Sequence, residues 1–83
     1  MFILQRIEKV GYFTFSEGKI ILIDDIGPAL RFAVKDIAKK EAVNYVKKNK
    51  DAAGDINLIE LDEYGIPLAF DKLMKNGKWI NVG

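Results

Sequence analysis

The sequence predicts an α+β domain: an antiparallel β-sheet with one principal helix packed on a face, in the order β-β-β-α-β-β-β. Three observations predict it. Short apolar blocks separated by Gly-containing turns occupy both ends of the chain, the pattern of strands joined as hairpins. One segment, from about Asp36 to Asn49, carries apolar residues at helical spacing. Every connection is short, and there is no repeat, low-complexity stretch or linker, so residues 1–83 form a single domain.

The elements follow in order. Phe2 to Ile7 reads as a strand without a breaker. Gly11 interrupts, and Tyr12-Phe13-Thr14-Phe15 reads as a second strand. The cluster Ser16-Glu17-Gly18-Lys19 turns the chain into a third strand, Lys19 to Ile23. Its run Ile20-Ile21-Leu22-Ile23 lacks polar alternation, which places it centrally with both faces covered. Asp24-Asp25 ends it. Gly27-Pro28 begins a short helical turn over Ala29 to Phe32, because proline at a first helical position loses no needed N–H.

In the long helix, Val34, Ile37, Ala38, Ala42, Tyr45 and Val46 share the half that faces the sheet. Lys39, Lys40, Lys47 and Lys50 form a stripe on the other half, with Val43 among them. Asp51 to Asp55, with Gly54, is the helix exit. Ile56 to Leu61 is a fourth strand, with Ile56 and Leu58 on one face and Ile59 and Leu61 on the other. Asp62-Glu63-Tyr64-Gly65 is a turn. Pro67 delays the next strand to Phe70–Met74, and Asn76-Gly77 joins it to Lys78–Val82 as a two-residue turn with φ > 0 at both positions.

Composition narrows the function classes. The chain has neither cysteine nor histidine, which removes the usual ligands of zinc, haem and iron–sulfur centres and the Ser-His and Cys-His nucleophiles. No cofactor and no enzymatic activity are expected. Absence of cysteine points to a reducing compartment. The N-terminal apolar run stops at Leu4, too short for a secretory signal, and no stretch reaches a membrane span. The expectation is a cytoplasmic protein with no membrane partner. Net charge is +1, but it is unevenly spread. Residues 35–50 hold six lysines against Asp36 and Glu41, and residues 51–71 hold six acids and no base.

The run Gly11-Tyr12-Phe13, the Ile-rich strand, Asp24-Asp25, and Ala29-x-x-Phe32 followed by Lys40-Glu41-Ala42-x-x-Tyr45-Val46-Lys47-Lys48-Asn49 resembles a pattern in small phage and prophage proteins. It covers about half of the chain and consists of sheet, turn and helix-face positions, so it transfers no site residue. The resemblance implies a setting: accessory proteins of mobile elements that bind and block another protein.

The candidate site is therefore a partner-binding surface, with Trp79, Tyr12, Lys39, Lys40, Lys47 and Lys50 as its candidate residues. Tryptophan and tyrosine are favoured interface anchors, and the lysine stripe suits an acidic protein or a phosphate backbone. A protein partner is the primary expectation. The alternative is a small nucleic-acid-binding domain, either OB-like, since a five-stranded barrel with its helix after the third strand has a matching order, or a sheet-surface reader. The strand Lys9–Phe15 matches an RNA-recognition strand poorly, because its aromatics are adjacent and Val10 separates Lys9 from Gly11. The acid pairs Asp24-Asp25 and Asp62-Glu63 are read as turn formers. The lysine stripe and the acidic segment 51–71 are the two alternatives for the functional face.

Overall fold

A computed structural model describes residues Met1–Gly83, all of the chain. Six strands form one antiparallel sheet: β1 (Phe2–Arg6), β2 (Gly11–Ser16), β3 (Lys19–Ile23), β4 (Ile56–Leu61), β5 (Pro67–Leu73) and β6 (Trp79–Asn81). A single α-helix, α1 (Lys35–Lys48), and a 3-10 turn at Lys50–Ala52 lie between β3 and β4. The fold class and the element order agree with the sequence reading. The spatial order is β3-β2-β1-β4-β5-β6, so two three-stranded meanders meet at the β1–β4 pair. The sheet is open, with β3 and β6 as its edges, and no barrel closes between them.

Helix α1 sits on one face. Its contact residues are small, Ala38 and Ala42, both fully buried. Two alanines four residues apart let the helix approach closely, and the bulk comes from the sheet: Leu4, Phe13, Ile56, Leu58 and Leu73. Tyr45 closes this layer, its ring centroid 4.5 Å from that of Phe13. A smaller cluster of Ile3, Ala29, Ile59 and Leu61 fills the opposite face, with Tyr12, Ile26 and Phe70 against it. β1 and β4 are thus the strands buried on both faces.

That arrangement corrects the placement of β3 at the centre. It is an edge strand, and Ile21 is exposed. The apolar run arises because Ile20 and Leu22 pack under the helix, while pairing of β1 with the distant β4 takes the middle of the sheet. Segment 29–32 is also not helical. β1 and β2 pair only at Gln5↔Tyr12 and Arg6↔Gly11, and below that point they part. The segment enters the gap: the Leu30 amide donates to the Phe13 carbonyl at 2.8 Å, and Phe2 and Phe32 exchange amide-to-carbonyl bonds at 2.8 Å each way. Ile26 and Ala29 pack on the back cluster, whereas Leu30 and Phe32 pack with the helix-side cluster. The chain therefore passes through the split sheet from one face to the other.

Two helix positions also differ from expectation. Val34 and Ile37 are exposed, and Val43 packs against the core instead. The true contact stripe is centred on Ala38 and Ala42, about 40° apart on the wheel, and Ile37 lies well outside it. The turns divide differently as well. Glu17 and Gly18 adopt φ 53° and 75° between the paired residues Ser16 and Lys19, which makes this the two-residue type I′ hairpin. At Asn76-Gly77 only Gly77 is left-handed, at φ 86°. There the Gly77 amide donates to the Met74 carbonyl at 2.9 Å and the Met74 amide to Lys78 at 2.8 Å, giving a three-residue loop with glycine at its αL position. β5 begins at Pro67, earlier than expected, with proline at the strand start where no ladder donor is lost.

One ion pair joins the two meanders. Arg6, 2% exposed, ends β1, and its Nε donates to Asp55 Oδ2 at 3.0 Å. Asp55, 5% exposed, precedes β4, and its Oδ1 accepts the Glu8 amide at 2.8 Å. Arg6 also donates from Nη2 to the Asp51 carbonyl at 3.2 Å. Burial alone would disfavour the guanidinium charge, but its hydrogen bonds, that to Asp55 foremost, outweigh it and hold the arginine pKa above the usual value. Replacing Asp55 by alanine leaves a buried cation without its main partner. Asp55→Ala is expected to cost about 3–5 kcal/mol in urea unfolding, and the half-exposed Asp51→Ala clearly less, because solvent screens its contacts. Equal losses for the two variants would show that Asp55 is not the principal partner of Arg6.

Candidate partner-binding surface

Lys39 and Lys47 of α1, and Lys50 of the 3-10 turn after it, face the side of the molecule that carries the β5–β6 hairpin. Val43 and Val46 of the helix and Leu73 and Met74 of β5 and its turn line a groove of about 110 Å³, rimmed by Lys47, Lys50 and Lys75. Gly54 stands at its end, where an added Cβ would lie 2.8 Å from Lys75 Cγ. Glycine here lets the Lys75 stem run along the backbone. A second concavity of about 330 Å³ continues from Gly54 past Lys72, Met74, Lys75 and Asn76. The helix stripe and the hairpin lysines, distant in sequence, thus meet around an apolar floor.

The candidate residues divide into groups. Lys47 and Lys50 rim the groove, and Lys40 is exposed on the outer side of the helix. Lys39 is half-buried, its Nζ 5.6 Å from the centroid of the Trp79 ring, close enough for a cation–π contact. Trp79 itself is half-buried and packs with the helix-side core next to its pairing partner Leu73. Tyr12 lies on the opposite face against the back cluster, away from the lysines. The structure brings Lys39 and Trp79 together and Lys47 and Lys50 together; it does not unite Tyr12 with either. Lys75, Met74 and Val43 join the surface although sequence reasoning did not select them. The Val43 signal was present, since an apolar residue stood alone within a lysine stripe.

The acidic segment has a different fate. Asp55 holds Arg6, and Asp51 meets Arg6 at 3.4 Å and Lys9 at 2.9 Å. The Lys9 ammonium, foremost, holds the Asp51 carboxyl below its usual range. Asp62 Oδ1 accepts the amides of Tyr64 and Ile66 at 2.8 and 2.9 Å, which organises the turn. Asp25 likewise accepts the Gly27 amide at 2.9 Å. Asp71 is bridged to Lys35 at 2.8 Å and accepts from Asn81 Nδ2 at 3.1 Å. By contrast, Lys39, Lys40, Lys47, Lys50 and Lys75 form no ion pair. Four of the six acids of the segment, Asp51, Asp55, Asp62 and Asp71, are engaged within the fold, and the lysines of the groove are free.

The larger concavity, about 390 Å³ between the β2–β3 turn and α1, mixes Glu41 with Lys19 and Lys48 around Phe15, Ile20 and Tyr45. Its charges are of both signs, so it makes no comparable demand on a ligand. No helix is long and apolar enough to cross a membrane. Compared with known proteins, the chain matches no family model, no curated protein and no solved structure at a significant level.

The Lys35–Asp71 bridge fastens the start of α1, whose N-cap residue Val34 offers no side-chain cap. The hydrogen bond from Lys35, foremost, lowers the Asp71 pKa below 3.8, and the same bond raises that of Lys35 above 10.5. A lowered carboxylate pKa contributes stability above the unfolded value, which is lost as pH falls through the folded one. A raised lysine pKa contributes stability below the unfolded value, lost as pH rises through the folded one. Asp71→Asn is therefore expected to flatten the fall of the urea midpoint below about pH 5 and also above about pH 10. An unchanged acid slope would show that the bridge does not hold the helix start.

Proposed function

We propose that the chain is a non-enzymatic protein-binding module whose lysine-rimmed groove takes an acidic, partly apolar segment of another protein. The observation that carries this reading is the convergence of unpaired lysines on an apolar floor. Lys47, Lys50 and Lys75 stand around Val43, Val46, Leu73 and Met74, while Asp51, Asp55 and Asp71 are engaged elsewhere. Opposite charges on a partner would guide encounter and orientation, and apolar side chains between those charges would fill the floor. The resemblance of the sequence pattern to small phage accessory proteins supports the setting of a cytoplasmic inhibitor from a mobile element.

Nucleic acid is the second reading, favoured by the same free lysines. Single-strand binders add aromatic faces on which bases stack. Here Phe15 and Tyr64 are exposed but lie outside the groove, and the ring of Trp79 is covered by Lys39. Phosphate contact without stacking supports only weak, sequence-independent association.

Fluorescence anisotropy with a labelled peptide alternating Asp or Glu with Leu and Phe, and with a labelled single-stranded oligonucleotide, separates the readings. The expected result is peptide binding that weakens with salt and falls at least about tenfold, roughly 1.4 kcal/mol, in a Lys47→Glu, Lys50→Glu, Lys75→Glu variant of unchanged melting temperature. Tighter binding of the oligonucleotide with a steep salt slope would replace the protein reading by the nucleic-acid one. Undiminished peptide binding by the variant would remove the groove as the site.

A further inference from the structure

The turn between β4 and β5 carries the most exposed large hydrophobic residue of the chain. Tyr64 is 80% exposed, and Ile66 and Leu68 follow it at 58% and 60%. An apolar cluster left in water on this scale marks a surface that another molecule covers. The turn is nonetheless firmly built. Asp62 Oδ1 holds the Tyr64 and Ile66 amides, the Asp62 amide donates to the Ile66 carbonyl at 2.9 Å, and the Gly65 amide donates to the Asp62 carbonyl at 3.0 Å. A segment fixed in this way loses little conformational freedom on being covered.

Its charge is acidic. Asp62 and Glu63 lie on the turn, and no base occurs from residue 51 to residue 71. The Met1 ammonium, which donates to the Leu61 carbonyl at 3.3 Å, offsets only one of the two carboxylates. The groove has the opposite character: Lys47, Lys50 and Lys75 rim an apolar floor, and no acid lines it. Turn and groove occupy opposite ends of the molecule. β4 starts at Ile56, paired with the groove residue Leu73, and ends at Leu61, paired with Pro67 just past the turn. At ~3.4 Å per residue the strand holds them about 15–20 Å apart. A turn fixed at that distance cannot bend back into its own groove, but it can enter the groove of another molecule.

From this match of charge and polarity we infer that the chain associates head to tail, the β4–β5 turn of one copy seated in the lysine-rimmed groove of a second copy. Tyr64 covers the floor formed by Val43, Val46, Leu73 and Met74, and Asp62 and Glu63 lie among the lysines of the rim. The inference rests on the reading of the groove as a site for an acidic, partly apolar segment, and it names that segment. Turn and groove are different surfaces, so the contact is heterologous and leaves one groove and one turn of the pair unfilled.

Sedimentation equilibrium is expected to show an average mass that rises with protein concentration and falls with added salt. Two variants isolate the halves of the contact: Glu63→Gln, Tyr64→Ser for the turn, and Lys47→Glu, Lys50→Glu, Lys75→Glu for the groove. All five side chains are exposed and form no ion pair. Each variant alone is expected to self-associate at least about tenfold more weakly than the parent. Mixed in equal amounts they should form a one-to-one complex, because one supplies an intact turn and the other an intact groove. A parent chain that stays monomeric up to millimolar concentration overturns the inference, and so does a mixture that forms no complex. Should a variant unfold, NMR shifts on dilution of the parent chain decide: they are expected at residues 62–68 and around the groove, and shifts elsewhere alone overturn the contact. The acidic, apolar peptide, titrated into the turn variant with its free groove, separates this inference from the reading beneath it. Peptide binding without self-association of the parent removes only the second copy as occupant, whereas loss of both removes the groove as a site.

Discussion

A guanidinium buried at the end of a strand persists only where the groups around it replace its water, and the way Arg6 meets that requirement organises the sheet. Asp55 gives it a carboxylate and Asp51 a carbonyl. Those acids come from the exit of the helix, so β1 cannot keep its arginine unless the chain returns from α1 to this one place. Once it does, Ile56 is already opposite Arg6 and β4 follows in register down to Phe2–Glu60. The free Asp55 oxygen then takes the Glu8 amide and fixes the bend toward β2. A buried ion pair is a poor source of net stability; its use here is to specify which strands are neighbours.

The same arrangement separates the charges of the molecule. Asp51, Asp55, Asp62 and Asp71 are used by the N-terminal strands, the helix start and a turn, whereas Lys47, Lys50 and Lys75 are left without ion-pair partners. A net charge of +1 therefore hides a one-sided surface. Electrostatic forces between exposed groups fade over about 8–10 Å in physiological salt, so a partner senses the local lysines more than the total.

Much of the fold was legible because local chemistry determines it. Periodicity placed α1 to within one residue at each end and β4 without error, and the facing of Ile56 and Leu58 against Ile59 and Leu61 follows from strand alternation. Features set by distant pairing were not legible. The run Ile20–Ile23 reads as a central strand until β4 takes the place beside β1. Ala29–Phe32 reads as a helical turn until the gap between β1 and β2 accepts it. Ile37 fits a wide helical stripe, and only the narrow contact through Ala38 and Ala42 excludes it. Of the surface, the lysine stripe was legible from helical spacing, but its union with Lys75 and Met74 depended on where the hairpin lands. Asn-Gly signals a turn, yet the number of residues in the loop was decided by the hydrogen bonds of Met74.

The segment lodged between β1 and β2 also constrains the path by which the chain folds. A hairpin of neighbouring strands ordinarily zips from its turn to its ends; here β1 and β2 can zip only as far as Gln5 and Tyr12. Had they closed completely, Phe32 would have no place beside Phe2, and residues 24–34 could not cross to the helix side. The β2–β3 hairpin, with its local turn, is free to form early, whereas β1 must remain open until the crossing segment arrives and β4 docks. Such non-local closure carries a loop entropy that only the nearly complete sheet offsets, which places it after the rate-limiting step. Mutations at Phe2 and Phe32 should accordingly leave the folding rate nearly untouched and accelerate unfolding, low φ-values at the very place where the native backbone is most tightly interleaved.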